Sequence, residues 1–232
     1  MSKMVIYSCV TGGYDRLHAG ILDSQVIPEP GVDYVLFTDD VEAATRFRNK
    51  HQVVWDIQEL RQRHPLCRRR TARWHKLNSH ILFPDHTHSI WVDGSQRIKK
   101  TQLCSELVGK LLFDKDVSAF KHPDRTCLYQ ELRACIKLKK DNALLMERQI
   151  QRYRDEGYPP FNGLVETACV VRRNNTHVTE FNTLWWHQLE QNSLRDQLSF
   201  NYVAWKLGVD YGRIPGCRAK SPYFDFVPHG RG

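Results

Sequence analysis

Short apolar runs alternate along the chain with stretches of helical period, and several runs end in polar residues able to hold a ligand. Met4 to Val10 predicts a first strand, followed by the turn Thr11-Gly12-Gly13-Tyr14-Asp15, whose glycines permit positive φ and close approach of a ligand to backbone. Residues 34–37 form a second run ending in Thr38-Asp39-Asp40, and Val53-Val54-Trp55 a short third. Ser89-Ile90-Trp91-Val92-Asp93-Gly94-Ser95 is an apolar run closed by a carboxylate and a turn glycine. It predicts a buried strand with Asp93 at its carboxyl end, where open α/β sheets hold ligands. Asp93-Gly94 also suits a plain hairpin turn.

Between these runs, residues 71–82 predict a helix with Trp74, Leu77 and Ile81 on one face and Arg73, Lys76 and His80 on the neighbouring one. One face is then anchored and the other offers fixed cations. Further on, the pattern predicts a helix over 102–112, a strand over 119–121, helices within 129–156, a strand over 166–172 and helices over 178–191 and 194–207. From Gly208 the tail is rich in Gly, Pro and aromatic residues and is expected to be ordered loop. Such interleaving predicts an α/β fold, a mixed and mainly parallel sheet flanked by helices, as one domain over residues 1–232.

Composition narrows the class. With 41% hydrophobic and 26% charged residues, a soluble, ordered protein is expected. The seven cysteines are odd in number, widely spread and form no CxxC pair, which argues against a zinc ribbon and a secreted disulfide framework. No signal-peptide pattern precedes the first strand and no run approaches the roughly 18 apolar residues of a membrane span, so a cytoplasmic setting is expected. The net charge is +8, and Arg61, Arg63, Arg68, Arg69, Arg70 and Arg73 stand together without an acidic neighbour. That block suits nucleotide phosphates, an acidic polymer or nucleic acid, or is a solvated basic face.

The chemistry gathers at the strand ends. The Gly12-Gly13 turn lacks both the dinucleotide GxGxxG spacing and the Walker lysine-serine pattern. A diphosphate can instead be neutralised by Mn²⁺ or Mg²⁺ held on Asp93, together with Arg73 and Lys76. Such ions take few carboxylate or imidazole ligands and leave positions for phosphate oxygens. His80, His86 and His88 have no cysteine or carboxylate at ligand spacing, and Cys127 and Cys135 suit small core positions. Phe181, Trp185, Trp186 and Leu189 follow core spacing. His122, Arg125 and Glu131 follow the strand ending in Lys121, and with Glu166 are candidates for the acceptor side.

Five stretches in order resemble one known family. They are Tyr7-Ser8-Cys9-Val10-Thr11-Gly12-Gly13-Tyr14-Asp15, Val35-Leu36-Phe37-Thr38-Asp39-Asp40, the Asp93 run, Phe120-Lys121-His122-Pro123 and Arg195-Asp196-Gln197-Leu198-Ser199-Phe200-Asn201-Tyr202. The family is the glycosyltransferase-like group that includes the plant mucilage pectin-synthesis proteins. It implies a GT-A fold and a hexosyl- or pentosyltransferase using a nucleotide-sugar donor, a UDP-sugar first. The donor would meet Thr11, Gly12, Gly13, Tyr14, Asp39, Arg73, Lys76, Asp93, Gly94 and Ser95. Plant members carry a membrane anchor absent here, so a bacterial or viral setting is expected.

More distantly, the stretches are similar to the retaining galactosyltransferase and glycogenin group, in which a DxD motif and a late histidine hold Mn²⁺. By position Asp93 would be the surviving aspartate, with Ser95 in place of the second. His229 would be the late ligand. Asp196 would accept hydroxyl hydrogens of the sugar and Gln197 would lie near its anomeric carbon, with retention of configuration implied. The acceptor hydroxyl would belong to a glycan, or to hydroxymethylated DNA, which the net charge suits. Ser193-x-x-Asp196 is also a capping box for the following helix, with Gly208 closing it. The competing class is a non-catalytic GT-A-like module that binds an acidic polymer, supported by Ser95.

Overall fold

A computed structural model describes residues 3–13, 19–24, 26–99, 102–112 and 114–228. Tyr14 and His229, both expected at the site, lie outside the described residues.

The core is a seven-stranded sheet of order β3-β2-β1-β4-β7-β6-β8. Its strands are β1 (Met4–Val10), β2 (Val32–Thr38), β3 (Asp56–Glu59), β4 (His88–Val92), β6 (Val117–Lys121), β7 (Val165–Arg173) and β8 (Tyr211–Ile214). β3, β2, β1 and β4 run parallel, β7 runs antiparallel to both β4 and β6, and β8 is parallel to β6. Along β1 the side chains alternate between two cores. Val5, Tyr7 and Cys9 face one hydrophobic cluster, while Ile6 and Val10 face the other. A strand covered on both faces needs apolar residues at nearly every position, which is why β1 and β2 read as continuous runs.

Eight α-helices cover the sheet among the described residues: α1 (Val41–His51), α2 (Arg68–Leu77), α3 (Ser79–Leu82), α4 (Leu103–Leu111), α5 (Leu128–Lys137), α6 (Ala143–Asp155), α7 (Thr176–Gln191) and α8 (Gln197–Lys206). The expected strand at residues 53–55 falls one step later, at β3, because Trp55 turns into the core beside Tyr34. The expected helix over 71–82 is broken at Asn78, whose side-chain amide donates to the Trp74 carbonyl at 2.9 Å and closes α2. Beyond the break the expected apolar stripe is lost: Leu77 is buried but Ile81 is 57% exposed.

The tail is not loop throughout. β8 joins the main sheet, and β9 (Phe224–Phe226) pairs antiparallel with β5 (Gln96–Ile98) in a second, two-stranded sheet. Gly208, at φ +64, closes α8 as expected: the Val209 N–H reaches back to the Ala204 carbonyl at 2.8 Å. Gly12, Ile21, Gly94 and Ser95 crowd one end of the sheet. There the Ile21 N–H donates to the Gly94 carbonyl at 3.0 Å and the Val227 N–H to that of Ser95 at 2.8 Å. This is the carboxyl end of the parallel strands, and the reversed direction of β7 brings its own first residues to the same end.

Candidate active site

A cleft of about 620 Å³ opens at that end. Asp93 sits where its strand predicts, one residue past β4, and its N–H is tied across to the Ala168 carbonyl at 2.8 Å. The Asp93-Gly94 turn is real, since the Gln96 N–H donates to the Asp93 carbonyl at 2.9 Å, but it leads out to β5 in the small sheet and forms no hairpin with β4. The Asp93 carboxylate is held on one side only. Oδ1 accepts the Trp91 indole N–H at 2.6 Å and lies 3.2 Å from Lys76 Nζ, while Oδ2 has no partner among the described residues.

Lys76 is placed differently from the exposed cation its helical face predicts. Its side chain is 0% exposed, and its ammonium donates to Asp93 at 3.2 Å, to Asp196 Oδ2 at 2.6 Å and to Thr167 Oγ1 at 3.1 Å. Three N–H donors are thus committed before any ligand arrives. α2 packs against β1 and α7, and the side of the helix that carries Arg73 and Lys76 turns toward Asp196. Lys76 therefore lies beneath the cleft lining and joins the two aspartates that the resemblance singles out.

Asp196 is 2% exposed and stands at the start of α8 in helical conformation, with no side-chain capping bond. The expected capping box is not formed: Ser193 Oγ donates to Asp141 instead, at 2.6 Å. The Asp196 carboxylate takes Lys76 and the Thr167 hydroxyl (2.8 Å) on Oδ2, and Arg73 Nε lies 3.6 Å from Oδ1. Burial pushes its pKa up, but Arg73, Lys76 and Arg195 outweigh burial and hold the carboxyl well below the usual range. It is an anion at neutral pH, suited to accept hydrogen bonds. Gln197 is fixed at both ends, donating to the Val165 carbonyl at 3.2 Å and accepting from Arg195 at 2.9 Å.

Thr11, Gly12, Arg73, Asp93, Gly94, Ser95, His122, Arg125, Glu166, Asp196 and Gln197 all line the cleft. Asp39 stands behind it: Oδ2 accepts the Thr11 hydroxyl at 2.8 Å and the Gly12 N–H at 2.9 Å, which fixes the glycine turn. Gly13 follows on the exposed side of the turn and is not part of the lining. At Gly12, φ is +69 and a Cβ would run into Arg68, so only glycine lets that arginine lie across the turn.

On the opposite wall, His122 Nδ1 accepts the backbone N–H groups of Asp124 and Arg125 at 3.1 Å each, and burial with Arg125 lowers its pKa. Neutral His122 thus shapes a turn. The Arg125 guanidinium donates to buried Glu131 at 2.7 Å, and Glu166 accepts the Arg218 N–H at 3.0 Å. The described lining carries seven cationic side chains, those of Arg68, Arg69, Arg73, Arg125, Lys140, Arg195 and Arg218, against four carboxylates. Arg70 leaves the basic block, its guanidinium bonding the carbonyls of Leu189, Glu190 and Asn192 at the end of α7.

Thr167 and Arg195 are not legible in the sequence as site residues, whereas Glu131, expected on the acceptor side, does line the cleft. Arg195 lies inside a quoted motif, and Thr167 is a polar residue at the head of an apolar strand; only the reversed strand direction shows that it faces Lys76. Among the described residues no three His, Cys, Asp or Glu side chains are arranged to hold a metal ion. Asp93 Oδ2, without a partner among the described residues, fits the single-carboxylate role expected for Mn²⁺ or Mg²⁺, in which donor phosphates supply further ligands. No described helix is long and apolar enough to cross a membrane.

Solved structures share this fold. The apo WbbM bifunctional glycosyltransferase matches with a TM-score of 0.53 and 14% identity, over 87% of this chain and 37% of that one. The apo mouse xyloside xylosyltransferase 1 matches with a TM-score of 0.50 and 9% identity, over 88% and 82%. At such identities the likeness is one of fold: a GT-A-like α/β domain. The sequence profile of the TOD1/MUCI70, glycosyltransferase-like domain family covers residues 1–214, and the chain belongs to that family. It is similar to two Arabidopsis thaliana proteins. One is the probable hexosyltransferase MUCI70, 22% identical over 221 residues, covering 89% of this chain and 38% of that protein. The other is the alkaline ceramidase TOD1, 27% identical over 135 residues, covering 53% and 29%. The chain thus spans well under half the length of either relative.

Proposed function

We propose that the chain transfers a sugar from a nucleoside diphosphate to an acceptor hydroxyl within this cleft. The observation that carries the reading is the Asp93–Lys76–Asp196 bridge: two carboxylates on one buried ammonium, beneath a cleft whose lining has excess positive charge. A transferase of this kind must stabilise a departing diphosphate and hold a sugar still. Arg68, which lies across the Gly12 turn, and Arg73 would meet the diphosphate. Asp93 Oδ2 would hold the divalent cation, which supplies further charge stabilisation to the leaving group when bound. Asp196 would accept hydrogen bonds from sugar hydroxyls, and Gln197 would lie beside the reacting carbon. Lys76 serves this chemistry by fixing both aspartates.

The two named relatives carry different activities, and the cleft favours one of them. A ceramidase must seat two hydrocarbon chains, whereas seven cationic side chains and four carboxylates stand in this lining. The acceptor hydroxyl is assigned to a glycan; hydroxymethylated DNA is the second carrier that the cationic rim would suit.

The test is release of nucleoside diphosphate from UDP-, GDP- and other nucleotide-sugars with Mn²⁺ or Mg²⁺, without acceptor and then with glycans or hydroxymethylated DNA. Metal-stimulated hydrolysis of one donor supports the reading. No turnover of any donor, with retained binding of an acidic polymer, returns the chain to a non-catalytic module.

A further inference from the structure

The Lys76 bridge is held from behind by a buried cation. Arg172 lies on β7, fully buried, and no carboxylate among the described residues is within ion-pair distance of it. A guanidinium in that setting is costly unless its donors are used. Nη2 donates to the backbone carbonyl of Lys76 at 3.1 Å and Nη1 to the Tyr7 hydroxyl at 3.2 Å. The Tyr7 hydroxyl donates in turn to the same carbonyl at 2.8 Å. That carbonyl belongs to the last turn of α2, where carbonyls lack intrahelical partners and the helix dipole favours a cation. The Trp185 ring packs 5.8 Å from the guanidinium carbon and closes the position. One residue is therefore gripped at both ends, its carbonyl by Arg172 and Tyr7 and its ammonium by Asp93, Asp196 and Thr167.

We propose that Arg172, with Tyr7, is a positioning residue of the site: it fixes the backbone from which the Lys76 ammonium reaches and so sets where the Asp93 and Asp196 carboxylates stand. The inference deepens the glycosyltransferase reading and rests on it for its kinetic consequence. A shift of the Lys76 backbone moves the shared ammonium, and both aspartates must follow or lose it. Misplacement of reacting groups by a fraction of an ångström lowers turnover far more than affinity.

The test uses Tyr7→Phe, Arg172→Met and Arg172→Lys in the full chain. Tyr7→Phe keeps the ring packed against Phe83 and Trp91 and removes only the hydroxyl. The Trp91 indole N–H, bonded to Asp93, reports the carboxylate without any substrate, and its amide-type NMR resonance is assigned by its loss in Trp91→Phe. The expected result is a shifted Trp91 resonance in Tyr7→Phe and a larger shift in Arg172→Met, with Trp55 in the other core unmoved. Donor hydrolysis should lose about tenfold or more in kcat with KM within about twofold, and Arg172→Lys should recover part of the loss. An unmoved Trp91 resonance with unchanged kcat in folded variants overturns the proposal. Should Arg172→Met fail to fold, Tyr7→Phe decides by the same two readouts. A wild type that hydrolyses no donor overturns the glycosyltransferase reading instead, while the Trp91 resonance still decides positioning.

Discussion

The Lys76 ammonium lies 2.6 Å from the Asp196 carboxylate, with both side chains almost wholly withdrawn from water. Removing one partner leaves a buried charge uncompensated, so Lys76→Met should lose about 3–5 kcal/mol in urea unfolding. Burial raises the Asp196 carboxyl, and the charges of Arg73, Lys76 and Arg195 more than reverse it. The unfolded chain then takes up the proton first. The stabilisation is complete above the unfolded carboxyl value of about 3.9 and is lost as pH falls below it. In Lys76→Met the folded carboxyl is less depressed, so this pH-dependent share of stability should shrink, as read from unfolding curves between neutral and acid pH.

Asp93→Asn keeps volume and an acceptor for the Trp91 indole but removes the charge facing the cleft. Metal-stimulated donor turnover should fall on the order of 10²-fold while thermal stability stays near wild type. Steady-state kinetics beside a melting curve check both; undiminished turnover in Mn²⁺ would reduce Asp93 to a turn residue.

His75 gives a second, separable acid sensitivity. Burial outweighs its bond to the Thr71 carbonyl (2.8 Å) and lowers its pKa to about 4, and its Nε2 accepts the Arg61 N–H at 3.0 Å. The folded value lies below the unfolded one of about 6.5, so stability falls as pH drops from about 6.5 toward 4, by at most about 3 kcal/mol. His75→Gln should flatten that window in pH-dependent urea unfolding.

Gly20 and Gly109 should respond oppositely to alanine. A Cβ at Gly20 would overlap the Gly94 carbonyl oxygen, which is backbone and cannot swing away, whereas Gly109 in α4 has nothing within 4 Å of that position. Gly20→Ala should lose about 1–3 kcal/mol and, by displacing the Asp93-Gly94 turn, donor turnover as well. Gly109→Ala should gain up to about 1 kcal/mol. Thermal melts and donor hydrolysis on both variants make the comparison.

The arginines of the basic block should separate by role. Arg70→Gln should lower stability, because it strips the end of α7 of its carbonyl partners, and leave anion binding unchanged. Arg68→Gln should do the reverse, weakening UDP binding and its salt dependence. Equal effects at both positions would contradict the division seen in the structure.

Most strands and helices were legible because apolar periodicity reports burial directly, as in β1, β4 and α7. Asp93 was placed at its strand end by the same logic. What sequence could not carry was anything set by partners far along the chain. The inward turn of Lys76 depends on Asp196 and Thr167 being beneath α2; the break at Asn78 is local, made by a side chain reaching back four residues to Trp74, and apolar periodicity does not register a polar contact of that kind. β8 and β9 are not legible in the sequence because each is short and finds its partner in β6 or β5 rather than nearby. Arg70 looked like its neighbours until the end of α7 stood opposite it.

β7 alone joins the parallel strands β3-β2-β1-β4 to the β6–β8 pair. One wall of the cleft belongs to the first group and the opposite wall, with His122, to the second. A single strand is thus the mechanical axis of the cleft, and its pairing with β6 is interrupted by a register shift at Ala119 and Phe120, opposite the stretch that carries Glu166 and Thr167. A bulge sharpens the local twist, so the strand that joins the two walls is bent where it delivers Glu166 and Thr167 to the cleft.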